Sequence, residues 1–374
     1  MSAPRFINRY ADIALFYSED EFDQEVMDNG SGMFFLPGVQ SFDFNFGSNL
    51  VNSKGSIGSK RKNFIYSNQA PDVSLNLSVL ENFETLFEDV FTGGQLREDL
   101  NQGRNFYFII GRDEERTVLS KYESSFSIGN CFLDSIKIKQ SVGGILSSDY
   151  SYVGSNIIAQ EYSGNDGEYL SSSGLAPSVN LTGDQQPVGN FLFTGIYNEL
   201  IESNFMGEWT AGYNTYVKIS GIGTEESFLI RPDNIQSFDI DLSFNRKRIN
   251  SIDKFFPMGR VATPPFLGEI SLENKFSDIE VSGSLLNFLK NSETYYISIS
   301  GEKINGKTFM VNVSGASLKS KNVNNSISSN MSEKSTFMFG ADDINILEGA
   351  SVYLWNKNNG TIFSHNDFIW NSFV

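Results

Sequence analysis

The chain is 374 residues long, 40% of its residues are hydrophobic, and its formal net charge is −17. This length predicts two or three domains with a packed core, which excludes a wholly disordered chain. The acidic charge repels nucleic-acid phosphates at long range, so a nucleic-acid-binding function is not expected.

The sequence carries no targeting or membrane-spanning signal. No apolar run reaches about 18 residues, the length at which a run predicts a membrane-spanning helix, and residues 1–5 do not begin a signal peptide. We expect a chain that is made in the cytoplasm and does not cross a membrane by the standard route.

The first predicted element is a strand at residues 39–46. Phenylalanine recurs there at every second position between polar residues, which is typical of a strand with one buried face. A stretch rich in Gly and Ser follows, and it ends in a basic triplet formed by Lys60, Arg61 and Lys62. The triplet is either an exposed loop end or a cationic hook that grips an acidic neighbour.

Residues 78–93 are predicted to form a helix. Their apolar residues follow a period of 3.6, with Ser78 as a cap at the start and two glycines at the end. Strands are expected next at 107–111, 135–139 and 152–154. A shorter helix is expected at 284–289, in the corresponding place of the second half.

Turn residues dominate positions 155–190, so we place the connection between two domains there. The predicted division is a first domain at 1–160, a linker at 161–190, and a second domain with a C-terminal extension at 191–374. Residues 191–203 are a further helix candidate. The aromatic tail from Ala341 predicts strands, added either to the chain's own sheet or to a neighbour's.

The strand at 39–46 returns 196 residues downstream at 235–242, where the run Gln-Ser-Phe-Asp is identical. A basic triplet follows this strand too: Arg246, Lys247 and Arg248. Weaker matches keep the same order: 71–75 with 268–272, 107–111 with 297–301, 135–139 with 317–321, and 152–154 with 338–340. The sequence therefore predicts an internal duplication.

No motif for catalysis is present. The chain has one cysteine, Cys131, and one histidine, His365, so a disulfide, a histidine-based metal site and a Ser-His-Asp triad are not expected. Phosphate-binding, dinucleotide-binding and Gly-x-Ser-x-Gly motifs are missing from the sequence. Asp43 and Asp239 repeat at one strand position, which favours sheet-surface or subunit-contact residues. We predict no catalytic, cofactor-binding or metal-binding residue.

Residues 236–249, with Met258-Gly259-Arg260 and the strand at 269–272, resemble the tail-tube proteins of long-tailed bacteriophages. The resemblance implies a mainly β fold made of two tandem tail-tube-like β-sandwich or half-barrel domains, each with a flanking α-helix. It further implies that inner sheets join edge to edge into rings, and that the rings stack into a tube.

For this chain, the resemblance and the repeat together predict rings of three copies with pseudo-sixfold symmetry. Genomic DNA would pass through the lumen without specific binding, the partners would be further copies and other tail proteins, and the location would be the virion tail. Two basic triplets and two aspartates are the subunit-contact candidates: Lys60, Arg61, Lys62, Arg246, Lys247, Arg248, Asp43 and Asp239.

Other functions remain open at this point. The chain could be another virion component, such as a baseplate, tail-terminator or decoration protein, or a carbohydrate-binding β-sandwich module. An enzyme that uses a pair of carboxylates is a third class, for which the sequence holds no positive sign.

Overall fold

The computed structural model describes a defined part of the chain. The described residues are 13–19, 33–36, 38–47, 50–53, 63–66, 72–80, 90–92, 95–96, 103–111, 122–154, 156–161, 215–222, 227–230, 234–250, 259–275, 294–302, 308–324, 332–349, 353–356 and 361–364.

The described residues form antiparallel strands almost throughout. The strands of the first half are β1 Ile13–Glu19, β2 Met33–Phe35, β3 Val39–Gly47, β4 Leu50–Ser53, β5 Asn63–Tyr66, β6 Asp72–Leu80, β7 Phe91–Thr92, β8 Gln95–Leu96, β9 Arg104–Gly111, β10 Tyr122–Ser141, β11 Ser147–Gly154 and β12 Asn156–Glu161.

The second half adds the following strands, with a 3-10 turn at Ala341–Asp343 before β22. They are β13 Tyr216–Gly221, β14 Ser227–Ile230, β15 Ile235–Ser243, β16 Arg246–Ile249, β17 Gly259–Ala262, β18 Leu267–Lys275, β19 Tyr295–Glu302, β20 Thr308–Asn324, β21 Ser332–Gly340, β22 Ile344–Gly349, β23 Tyr353–Asn356 and β24 Thr361–Ser364.

Eight strands, four from each half, form one antiparallel sheet that we call the central sheet. Its order is β3-β6-β11-β10-β15-β18-β21-β20. The two halves meet where β10 pairs with β15, with residues 135–141 opposite residues 243–237. We call this pairing the internal joint.

A second layer covers one face of the central sheet in each half. The N-terminal part of β10 pairs with β9 and β12, and that of β20 pairs with β19 and β22. Rings touch across the layers: the centroids of Phe106 and Tyr152 are 4.8 Å apart, and those of Tyr295 and Phe337 are 5.8 Å apart. The core lies between the layers, and the opposite face of the central sheet is polar.

The order of strand pairing in the second half repeats that of the first. β3 and β15 both shift register at a glutamine, Gln40 or Gln236, against their neighbours β6 and β18. The register places Phe42 opposite Leu77, and Phe238 opposite Leu272. The structural equivalence of the two Gln-Ser-Phe-Asp runs therefore agrees with their sequence match.

All four weaker sequence matches are displaced in the structure. Because Leu133 corresponds to Leu318, the match of 135–139 with 317–321 is three residues out of register and that of 152–154 with 338–340 is one residue out. Tyr152 and Phe337 hold equivalent places in the two halves. Leu75 lies opposite Tyr152 and Ile270 lies opposite Phe337, so Leu75 corresponds to Ile270, and the match of 71–75 with 268–272 is two residues out of register. The match of 107–111 with 297–301 is one residue out, since Phe106 pairs with β10 as Ile297 pairs with β20. Short alternating strands carry too little information to fix a register.

The mainly β prediction is confirmed, and the helix predicted at 78–93 is wrong at its ends. Residues 78–80 are the end of β6, where every second residue from Val73 to Val79 is buried, and Phe91–Thr92 form β7. Residues 81–89, 191–203 and 284–289 lie outside the described residues, so the flanking helices and the domain boundaries stay predictions.

The strands predicted after Ala341 are confirmed as elements. β22 pairs with β20 of the same chain, and β23 pairs with β24. For β22, pairing within the chain is therefore the alternative that the structure selects.

Candidate functional site

The distinctive features of the structure are surfaces. Among the described residues, no three or more His, Cys, Asp and Glu side chains are grouped as metal ligands would be. A helix long and apolar enough to span a membrane is also missing from that part of the chain. Three regions of the central sheet have a distinctive arrangement of apolar and charged side chains: the internal joint, the two outer edges, and the polar face.

The internal joint combines an apolar side with a charged side. On the core side, Ile138 lies opposite Ile240, and both are buried. On the polar face, Lys137 Nζ lies 3.7 Å from Asp239 Oδ2 across the joint, while Lys139 Nζ lies 2.5 Å from Asp149 Oδ2 of β11, within the first half. Charged pairs across neighbouring strands help to fix the register.

Among the described strands, the central sheet ends at β3 and β20, which hold the positions that β15 and β10 hold in the internal joint. β20 shifts register after Leu318 as β10 does after Leu133, so Val323 corresponds to Ile138. Val323 is 45% exposed, whereas Ile138 is 1% exposed. Phe44, which corresponds to Ile240, is 41% exposed, whereas Ile240 is 0% exposed. Each outer edge thus exposes an apolar residue whose counterpart is covered in the internal joint.

The outer edges also differ from the internal joint in charge. β20 has asparagines at 322 and 324 in the positions of Lys137 and Lys139. β3 has Asn45 in the position of Asp241, and Asp43 keeps the aspartate that Asp239 supplies in β15. The Asn76 amide donates a hydrogen bond of 3.0 Å to Asp43.

The polar face of the central sheet is a network of short polar side chains. Ser78 donates to Asp149 at 2.7 Å, Ser151 donates to Asn76 at 2.9 Å, and the hydroxyls of Ser271 and Thr336 lie 3.2 Å apart. These contacts cross from strand to strand, so they join neighbouring strands of the face within each half.

Ionised groups on this face are paired or compete with one another. The Lys319 ammonium bonds Glu269. Burial raises the pKa of Asp241, which Lys137 opposes, while the neighbouring carboxylates of Glu269 and Asp239 raise it further. The three lysines Lys137, Lys139 and Lys319 are therefore each engaged with a carboxylate of the face.

A hairpin of β16 and β17 extends from the second half over the first half. The Arg260 side chain is buried; its guanidinium donates to Asp72 Oδ1 and, at 3.1 Å, to the carbonyl oxygen of Gly154. Arg248 lies 3.5 Å from the same Asp72 oxygen. Burial lowers the pKa of Arg248, and Asp72 opposes that shift.

A third arginine of the hairpin holds the end of β10. Arg246 Nε donates to the Leu133 carbonyl at 2.7 Å, and its backbone N–H donates to Asp134 Oδ1 at 3.1 Å. Its guanidinium lies 5.9 Å from the centroid of the Phe132 ring, within reach of a cation–π contact. We call the contacts of Arg246, Arg248 and Arg260 with the first half the arginine clasp.

The structure separates the two predicted basic triplets. Arg246, Lys247 and Arg248 lie in β16, and the clasp uses two of them inside the chain. Lys60, Arg61 and Lys62 lie outside the described residues, between β4 and β5, which is not the equivalent position. Asp239 is at the internal joint and Asp43 at an outer edge. Contacts of these candidates with a second copy stay predictions.

Arg260 and Asp72 were not among the predicted site residues. They are 188 residues apart in the chain, and no local pattern links them. Arg260 does lie in the run Met258-Gly259-Arg260, which carries part of the sequence resemblance, but nothing in that run points to Asp72.

Comparison with known proteins gives only distant likenesses. No family model and no curated protein matches the chain. The chain is similar to a protein in the anti-feeding prophage baseplate (12% identity, 43% of this chain and 98% of that chain, TM-score 0.30). It is also similar to one in the sheath-tube complex of the extracellular contractile injection system PVC (12%, 42% and 93%, TM-score 0.28). A third is the SPP1 tail tube (11%, 42% and 80%, TM-score 0.29). Likenesses at such TM-scores do not establish a function.

Proposed function

We propose that this chain is a structural virion protein whose copies assemble into rings that stack as the tail tube of a phage, through which DNA passes. In this proposal the chain is not an enzyme and binds no cofactor, and its copies act in the virion tail after synthesis in the host cytoplasm. The proposal rests on the sequence resemblance and on the two outer edges of the central sheet.

The observation that carries the proposal is that the outer edges complement each other. If β20 of one copy pairs with β3 of the next copy in the register of the internal joint, Val323 lies opposite Phe44. The two exposed apolar residues then bury each other, as Ile138 and Ile240 do inside the chain. Pairing of this kind removes the exposed edges that favour uncontrolled aggregation.

Repetition of that pairing produces a closed wall. Because each copy supplies eight strands, three copies supply 24. With strands about 4.8 Å apart and tilted by about 40°, a barrel of 24 strands is about 48 Å across between backbones. Barrels of about 16 strands already leave an aqueous channel, so three copies leave a wide lumen.

The same pairing order and the same register shifts in both halves support an internal duplication. Two similar halves in each of three copies give the pseudo-sixfold symmetry that the sequence predicts. Under this proposal the two halves are tandem tail-tube-like sandwiches, with the domain boundaries and flanking helices predicted from the sequence.

The polar face suits a lumen that DNA crosses without binding. The opposite face of the central sheet packs against the core, so the polar face is the one that lines the interior of a closed wall. Lys137, Lys139 and Lys319 are paired with carboxylates, and the chain is acidic overall. Binding to DNA draws on cations that neutralise phosphates, and these three lysines are already neutralised by carboxylates.

Electron microscopy combined with light scattering tests the proposal on the whole chain. We expect stacked rings with the mass of three copies per ring, and we expect Val323→Asp to abolish them because it places a carboxylate in an apolar pairing. The matched control is Val142→Asp, since Val142 is also exposed but lies in the turn after β10. A monomeric wild-type chain, or rings that survive Val323→Asp, would refute the proposal.

Stacking of rings distinguishes a tube subunit from the other candidate virion components. A tail-terminator or baseplate ring would use the same edge pairing without repeating along the axis, so it would give single rings of three copies. Long tubes of the purified chain would support the tube subunit.

A further inference from the structure

We infer that the β4–β5 hairpin of one copy closes over Leu267 of the next copy, as an uncharged counterpart of the arginine clasp. This inference rests on the proposed ring and identifies a second contact between its copies. The partner is a second copy of the chain, in the orientation that pairs β20 with β3.

The two hairpins hold equivalent places in the two halves. β4–β5 follows β3 as β16–β17 follows β15, and the strands have the same lengths. In one hairpin Asn52 lies opposite Phe64, and in the other Arg248 lies opposite Arg260. Phe64 therefore holds the register position of Arg260, and Leu50 holds that of Arg246.

The surfaces that receive the two hairpins are equivalent as well. Asp72 begins β6 and lies opposite Gly47 of β3, while Leu267 begins β18 and lies opposite Ser243 of β15. Asp72 is the carboxylate that Arg260 and Arg248 bind. Leu267, in the same position of the second half, is 47% exposed. The first half thus presents a carboxylate to its hairpin, and the second half presents an apolar side chain.

The arginines of the clasp and the carboxylate of Asp72 are all replaced by uncharged residues in the proposed contact between copies. Arginine is replaced by Leu50, Asn52 and Phe64 on the hairpin, and Asp72 is replaced by Leu267. The exchange is matched in residue type on both sides: arginines meet a carboxylate inside the chain, and in the proposed contact uncharged residues meet an apolar residue.

The residue at the register shift of β10 or β20, the strand that each hairpin crosses first, determines which hairpin fits there. Asp134, which accepts the Arg246 N–H, lies in the register shift of β10 between residues 133 and 135. Lys319 holds the same place in β20, between residues 318 and 320, and bonds Glu269. The arginine hairpin would meet a lysine there, which disfavours it. Each hairpin therefore has one receiving surface, and this fixes the alternation of halves around the ring.

A charge exchange at the contact tests the inference. Leu267→Asp and Phe64→Arg each place one uncompensated charge in it, so each single variant should weaken ring assembly about tenfold or more. The double variant copies the Arg260–Asp72 pair and should recover most of that loss. Assembly is measured as the concentration at half-maximal ring mass in light scattering, with Val142→Asp as the control and circular dichroism to check folding.

The results separate the inference from the proposed function. A wild-type chain without rings overturns the proposed function and the inference with it. Wild-type rings that Leu267→Asp leaves unchanged, or single-variant losses that the double variant does not recover, overturn the inference alone. Recovery in the double variant supports direct contact, since a purely structural effect of either charge would add to the other.

Cross-linking gives a second readout that does not depend on affinity. The one cysteine of the sequence, Cys131, is buried, so Phe64→Cys with Leu267→Cys adds the two thiols that are expected to react. Under oxidising conditions we expect covalent dimers and trimers of the chain on a non-reducing gel. A cross-linked monomer would place the contact within one copy and overturn the inference.

Discussion

The ion pair of Lys321 and Glu333 offers the sharpest test of the described packing. Glu333 is fully buried, and the Lys321 side chain is 11% exposed. The pair lies on the core side of β20 and β21, where the equivalent residues of the first half are Ile136 and Ser148. The chain therefore contains its own uncharged version of this site.

The expected changes in unfolding free energy follow from burial. Lys321→Ile leaves a fully buried carboxylate without a counter-charge, which costs about 3–5 kcal/mol. The double variant Lys321→Ile with Glu333→Ser copies the first half and should lie within about 1 kcal/mol of wild type, or above it, because the desolvation of two charges is no longer required. The coupling between the two sites should therefore reach about 3 kcal/mol.

Urea unfolding followed by circular dichroism measures these values. With a slope of about 3 kcal/mol per molar, Lys321→Ile should lower the midpoint by about 1 M or more. The control is Lys319→Ile in the same strand, which removes the exposed pair with Glu269 and should cost less than about 1 kcal/mol. If Lys321→Ile costs no more than this control, or if the double variant is as unstable as the single, the account of a buried, mutually dependent pair is refuted.

Three further predictions concern the internal contacts. Asp72→Ala leaves the buried Arg260 guanidinium without its carboxylate and should lower the unfolding free energy by about 2–3 kcal/mol in urea unfolding; no change would argue against the clasp. The raised pKa of Asp241 means that the native chain binds this proton more tightly than the unfolded chain, so its contribution to stability grows as pH falls through the native pKa. Asp241→Asn should therefore raise the melting temperature more at pH 7 than in the acid range, where Asp241 is protonated, and an equal effect at both pH values would contradict this. Gly268→Ala places a methyl group within 2.3 Å of the Phe339 ring and should lower the melting temperature more than Gly143→Ser in an open turn would through its strained backbone.

Alternation of side chains predicted most of the sheet. The period-two pattern at 39–46 and 235–242 identified β3 and β15, and their shared Gln-Ser-Phe-Asp run identified two strands with the same register. The pattern failed at the end of β6, because Val79 and Leu80 fit a helical stripe as well as an alternating strand. Pairing with β3 and β11 decides between them, and that pairing is not encoded locally.

The contacts that link the two halves could not be predicted from the sequence. Arg260 and Asp72 meet across 188 residues, and the reason is the position of two strand ends rather than any motif. The burial of Lys321 and Glu333 also runs against expectation, since charged residues are seldom buried. Both cases depend on which strands become neighbours, so they become visible only once the order of the central sheet is known.

The contrast between charged and uncharged joints leads to a prediction about salt. Each copy has a net charge of −17, so copies repel one another at low ionic strength. The proposed contact between copies pairs Val323 with Phe44 and covers Leu267, and apolar contacts of this kind are not weakened by screening.

Salt should therefore strengthen ring assembly. Raising NaCl from about 0.05 M to about 0.5 M shortens the screening length from about 14 Å to about 4 Å, which removes repulsion and leaves the apolar contact intact. We expect the concentration at half-maximal ring mass to fall over this range, and to fall less for a variant with fewer surface carboxylates. Rings that dissociate as salt rises would mean that ion pairs hold the copies together, which would contradict both the edge pairing and the uncharged clasp. Inside the chain the two halves are always present together, so ion pairs can join them without depending on the concentration of a partner.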